Sequence, residues 1–134
     1  VLSIKLVGAE ALSKKLQPKT ITGPLNDGVK KITLELLRLT KMATVVRFGR
    51  LRSSIVSETT NEFSRVYTDV EYAPFVEYGH FSRAGSFIEA RHMESGRKVL
   101  GEGMFTYALR RLNEKLGDYM KKIGVNIERK FEEA

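Results

Sequence analysis

Two histidines, His80 and His92, stand twelve residues apart in a glycine-rich stretch, with Glu77, Glu89 and Glu94 nearby. Imidazole and carboxylate are the donors of a divalent-metal site, so their spacing is the first question. A zinc deaminase joins His-x-Glu to paired cysteines, and a zinc protease sets two histidines on one helix face as His-Glu-x-x-His. His92-Met93-Glu94 has the first pattern without its cysteines, and the second pattern does not occur. Neither spacing supports a metal, and no cofactor is expected. Asp69, Glu71 and Glu77 form another acidic set, and closely gathered carboxylates hold the Mg²⁺ ions of some nucleases. Carboxylates exposed at a strand end are the plainer reading of this trio. Serine and threonine are plentiful, but a nucleophile needs a base within hydrogen-bond reach, and the sequence nominates no such pair. There is no Gly-x-Ser-x-Gly elbow, phosphate-binding loop or dinucleotide fingerprint; the glycines at 96, 101 and 103 point to a conformational role. Catalysis is not expected.

The elements that would carry these residues fit a single domain, since 134 residues can bury one core without dividing. A composition 42% hydrophobic and 29% charged is that of an ordinary folded protein. Without cysteine, stability must come from packing or assembly. No apolar run approaches the roughly 18 residues of a membrane span, and the opening Val-Leu-Ser-Ile-Lys-Leu-Val is short for a signal sequence, so a cytosolic chain with no membrane partner is expected. The net charge of +7 is uneven. Over residues 1–58 eleven Lys and Arg face four Asp and Glu; over 59–102 five face seven; over 103–134 seven face five. Such asymmetry suits either a basic surface that meets nucleic acid or basic and acidic faces that meet when copies pack together.

Ser3-Ile4-Lys5-Leu6-Val7 alternates as a half-buried strand does, up to Gly8. Ala9 to Leu16 could form a short helix, and Pro18, Thr20, Gly23 and Pro24 mark a connection. Leu25, Val29, Ile32, Leu36 and Leu39 then recur at spacings of four and three, which predicts an amphipathic helix with Pro24 in its first turn. Lys30, Lys31, Glu35, Arg38 and Lys41 fall on its outer, mainly basic face. Residues 51–70 are rich in β-branched and aromatic residues with a turn at Thr60-Asn61-Glu62, so a β-hairpin is expected, its core supplied by Ile55, Phe63, Val66 and Val70, with Arg52, Ser54, Glu58 and Arg65 outward. From about 80 to 103 the periodicity fades and a long flexible loop is expected. Phe105, Ala108, Leu109, Leu112, Leu116, Tyr119 and Ile123 predict a second long helix, with Gly124 ending it in a left-handed cap and 125–134 left as a short tail. The expected fold is α+β: residues 1–124 form one domain in which a small antiparallel sheet with a central hairpin packs on two long amphipathic helices.

Two words stand out: Gly49-Arg50-Leu51-Arg52-Ser53-Ser54-Ile55, and, after the hairpin, Val70-Glu71-Tyr72-Ala73-Pro74-Phe75-Val76-Glu77-Tyr78-Gly79. Their order resembles the tail-completion or head-to-tail joining family of long-tailed bacteriophages, in which a Gly-Arg-Leu-x-x-Ser-Ile word precedes a Tyr-Ala-Pro-x-Val-Glu-x-Gly word. The likeness extends over most of the chain. It implies a structural virion subunit, made in the host cytoplasm and forming a ring, expected to be hexameric, at the phage neck. Its implied partners are further copies of itself, the tail tube protein, the head-closure protein and transiting DNA.

Residue chemistry fits such a role. Gly49 can supply the backbone angles of a tight turn, and Leu51 can anchor the first hairpin strand. Tyr72, Phe75 and Tyr78, three apart, can dock a short helix started by Pro74, with core packing the plainer reading and partner contact the other. Glu77 can pair with Arg50 or Arg52, or with a basic helix of a neighbouring subunit. Two rival functions remain. A DNA-binding module would use Lys14, Lys15, Lys30, Lys31, Arg38 and Lys41 on phosphates, and the last four could equally line a DNA channel. A small nuclease would use Asp69, Glu71 and Glu77.

Overall fold

The apolar stripe from Leu25 to Leu39 folds as helix α1 (Lys19–Ala43), burying Leu25, Ile32, Leu36 and Leu39 while Val29 is half-buried. The structure is a computed structural model that describes residues 2–7, 19–46, 49–60 and 63–133. The expected Ala9–Leu16 helix lies outside these residues, as do Lys14, Lys15, Asn61 and Glu62. Helix α1 begins at Lys19, so Pro24 occupies its second turn instead of its first, and only one backbone N–H is lost there. Two threonines on the buried side of α1 and a third just past its end behave alike. The hydroxyls of Thr33, Thr40 and Thr44 donate to the carbonyls of Val29, Leu36 and Thr40 at 2.8, 2.7 and 2.7 Å, which leaves their methyl groups to pack as apolar surface.

Strands β1 (Leu2–Val7), β2 (Val56–Thr59) and β3 (Phe63–Thr68) form an antiparallel sheet in the order β1-β3-β2. Alternation along β3 turns Ser64, Val66 and Thr68 to the helices and leaves Phe63, Arg65 and Tyr67 half-exposed on the far face. On that face Arg65 lies opposite both Glu58 and Lys5. It bonds Glu58 at 2.8 Å, while the Lys5 ammonium rests 3.9 Å from the Phe63 ring, so two opposed cations each have a partner.

The first word does not open the hairpin as a strand. Residues 50–54 form a one-turn helix, α2 (Arg50–Ser54), that begins at Gly49 in the left-handed region, with φ 77°. Leu51 is buried, as expected, but from a helix, and Ile55 at its end is fully buried. The second word forms α3 (Ala73–Tyr78), with Pro74 in its first turn.

Residues 80–103, expected as a loop, contain two short antiparallel ladders: β4 (His80–Phe81) with β5 (Phe87–Ile88), and β6 (Arg91–Glu94) with β7 (Arg97–Leu100). Strands of two and four residues are too short to register as alternation. The last helix, α4 (Met104–Glu133), continues past Gly124 instead of ending there, so the expected tail is helical through Glu133. A Cβ at Gly117 or Gly124 would meet nothing, and buried Ile123 with half-buried Ile127 keeps the helix on the core past both glycines. Leu109, placed by spacing on the apolar stripe, is exposed; Met104 and Tyr107 are buried instead.

Helices α1 and α4 run antiparallel, with Gly28 against Ile123 at one end, Lys115 bonded to Glu35 at 3.2 Å, and Thr44 beside the Met104 sulphur at the other. The core lies between this pair and the sheet, with α3 and β6 closing the end where α4 begins. The expected α+β architecture is the one observed.

Candidate functional site

Helix α4 starts without a local cap. Gly103 precedes it, and its first turn contains no acidic residue. The carboxylate of Glu77 supplies what is missing. Phe105 N–H donates to one of its oxygens at 2.8 Å, and Thr106 N–H to the other at 3.0 Å, with the Thr106 hydroxyl donating to that second oxygen as well. Orphan N–H groups and the positive end of the helix dipole make this the natural place for an anion. The approach is so close that a Cβ on Gly103 would overlap the Glu77 carboxylate and its backbone carbonyl. Glu77 is 5% exposed and reaches neither Arg50 nor Arg52, so the pairing expected for it is replaced by a brace between α3 and α4.

His92 adds a second clasp at the same place. Its Nδ1 lies 2.7 Å from the Glu102 carbonyl, its ring stacks on Tyr107 with centroids 4.2 Å apart, and Nε2 is 3.7 Å from a Glu94 oxygen. His80 lies away from it in the β4–β5 ladder, half-buried against the Phe75 ring. Among the described residues no three His, Cys, Asp or Glu side chains gather as a metal site. Asp69 and Glu71 are exposed, and Glu77 faces α4, so the nuclease trio does not assemble.

The two sequence words meet across a cleft of about 920 Å³. From the first come Gly49, Arg50 and Leu51, and from the second Tyr72 and Val76; Val45 and Val46 lie at the end of α1, and Arg91, Met93, Gly96 and Lys98 come from the β6–β7 ladder. Arg50 lies 5.7 Å from the Tyr72 ring centre and 4.0 Å from a Glu71 oxygen, a pair open to solvent on both sides. Ser54 fixes the first word from behind. Its hydroxyl bonds the Leu51 carbonyl and the Thr68 hydroxyl, both at 2.6 Å, tying α2 to the end of β3.

Helix α3 turns Ala73, Val76 and Glu77 inward. Phe75 and Tyr78, for which core packing is the plainer sequence reading, are 52% and 67% exposed. They adjoin Phe81, 74% exposed, and Phe87 and Ile88, also exposed, whose approach leaves no room for a Cβ on Gly79. Phe81 and Phe87 meet edge to face at 5.2 Å. Exposed apolar side chains grouped in one part of a surface mark contact sites when they form a large patch.

The basic residues of α1 are less available than their spacing suggests. Lys30 and Lys31 are exposed, but Arg38 forks onto Glu35 and Lys41 is half-buried. Glu35 also bonds Lys115, and the Arg38 hydrogen bond, with a smaller contribution from Lys115, holds its carboxyl below the ordinary value against the opposing effect of burial. Among the described residues no helix is long and apolar enough to cross a membrane. Comparison with known protein families, with curated proteins and with solved structures finds no match.

Proposed function

We propose that this chain is a non-enzymatic structural subunit of a long-tailed bacteriophage, completing the tail and joining it to the head as one member of a ring at the neck. The observation that carries the reading is the outward face of the second word. The word whose order resembles the joining family presents Phe75 and Tyr78 to solvent beside Phe81 and Phe87, as a subunit with protein neighbours would. A closed ring also needs two different complementary surfaces on each copy. The aromatic face supplies one such surface. Further copies of the chain, the tail tube protein and the head-closure protein are the proposed partners, with DNA passing through the ring.

Microscopy of particles assembled without this chain tests the proposal: filled heads beside separate, finished tails are expected, and intact virions would overturn it. The double change Phe81→Glu with Phe87→Glu supplies a finer test. It should leave the circular dichroism spectrum of the free chain unchanged, because both rings are exposed, and abolish joining. Joining at the normal yield would remove the aromatic face from the argument.

A further inference from the structure

The cleft between the two words has a composition that selects its occupant. Its walls are apolar, with Val45, Leu51, Val76 and Met93, and its cations, Arg50, Arg91 and Lys98, come from α2, β6 and β7. No carboxylate is among its described lining residues. The cations are lightly engaged. Arg50 has the solvent-open contact with Glu71 and lies 5.7 Å from the Tyr72 ring centre, Arg91 donates to the Glu89 carbonyl at 3.4 Å, and Lys98 makes no ion pair among the described residues. An exposed ion pair such as Arg50 with Glu71 holds its partners weakly, so a better-placed anion displaces it.

We propose that this cleft docks an acidic peptide segment carrying apolar side chains, supplied by a partner protein. Carboxylates of the segment meet Arg50, Arg91 and Lys98, and its apolar side chains enter between Leu51, Val76 and Met93. At about 920 Å³ the cleft is at the upper end of ligand-site volumes, far larger than one phosphate or carboxylate needs. Nucleic acid fits it less well. Single strands bind on rows of free aromatic faces, and Tyr72, the one aromatic side chain among the described lining residues, already has Arg50 over its ring. Duplex binding rests on many phosphate contacts, whereas the described lining residues supply three cations above an apolar floor. The inference concerns the cleft alone and stands whether or not the chain is a neck subunit.

The test uses the full chain, immobilised, against a displayed library of random dodecapeptides. Enriched peptides should carry several Asp or Glu with Leu, Ile, Val, Met or Phe among them. The leading peptide, synthesised with a fluorescent label, should bind with an affinity that falls about three- to tenfold in Lys98→Ala and in Arg91→Ala, and falls as salt is raised, as expected when charges at a rim steer a partner. Glu71→Gln should tighten binding by about twofold, by freeing Arg50. Lys98 is exposed, so its variant keeps the fold and isolates the charge. Three results would each overturn the proposal. One is a library without acidic enrichment. Another is a peptide whose binding ignores both cation substitutions or survives replacement of its apolar residues by serine. The third is a cleft in which Lys98→Ala and Arg91→Ala weaken binding of an oligonucleotide but of no selected peptide.

Discussion

Replacing Glu77 tests whether its carboxylate builds the fold or serves the surface. In Glu77→Gln the side chain keeps its shape and one acceptor oxygen, but loses its charge at the start of α4 and turns an NH₂ toward donors that need an acceptor. A hydrogen bond to a charged group contributes about 1.5–3 kcal/mol, and a favourable charge at a partly buried helix end up to about 2 kcal/mol. The contributions overlap. Thr106 is also exposed, so water can replace one of its bonds, whereas the buried Phe105 N–H has no such recourse. The net expectation is a loss of about 2 kcal/mol for Glu77→Gln, and about 3 kcal/mol for Glu77→Ala, which also leaves a cavity. With a urea slope of about 1.5 kcal/mol per molar, the midpoint falls by more than about 1 M in Glu77→Gln at neutral pH. Hydrogen exchange at the amides of Phe105 and Thr106 should accelerate more than exchange in the middle of α4. A midpoint within about 0.3 M of the parent, with those amides still protected, would refute the capping argument and restore Glu77 as a group available to partners.

Two further outcomes concern the Glu77 cap and the Glu35 ion pairs. Gly103→Ala should destabilise by about 2 kcal/mol or more despite being a small change, because the added methyl overlaps the Glu77 carboxylate and backbone carbonyl; in a Glu77→Ala background only the carboxylate part of the penalty should disappear, and a double-mutant cycle in urea measures that coupling. Glu35 has a folded value below its ordinary 4.5, so its contribution is fully present above about pH 4.5 and is lost as pH falls through the lower folded value. Glu35→Gln should therefore lower stability at neutral pH and flatten the acid limb of a urea-midpoint titration; an acid limb as steep as the parent's would exclude Glu35 as its source.

Much of the fold is legible in the sequence because long helices repeat their apolar residues many times. Five positions of α1 and most of those named in α4 fall on the buried stripe, and the alternation at Ser3–Val7 is enough to place β1. The errors come where an element is short or a rule of thumb is local. Helix α2 spans five residues, too few to repeat a helical period, so its Ser and Arg read as part of a strand. Gly124 looks like a stop because glycine disfavours helix interiors by about 1 kcal/mol, but the packing of Ile123 and Ile127 outweighs that preference. Spacing three groups Tyr72, Phe75 and Tyr78, but Tyr72 is half-buried against the core and lines the cleft while Phe75 and Tyr78 are exposed, because Ala73, Val76 and Glu77 are the residues of α3 that turn inward.

The cleft is legible in part. Both words that line it are visible in the sequence, but Arg91 and Lys98 join them only through a ladder that pairs after the chain reverses at Gly96. Glu77 shows a deeper limit. Its partners are backbone amides 28 and 29 residues further on, and side-chain patterns carry no record of backbone partners. One signal was present: a strong helix opening at Gly103 with neither Ser, Thr, Asp nor Asn before it and no acid in its first turn needs its cap from elsewhere.

That borrowed cap also orders events in time. Helical segments nucleate with difficulty, and an end whose amides are unpaired frays. The first turn of α4 is secured only once the chain between residues 77 and 105 has closed on itself, bringing α3 and the β6–β7 ladder into place. The strongest helical pattern in the sequence is thus among the later segments to become fixed at its amino end. Its middle can coil early, while its starting point waits for a residue made well before it.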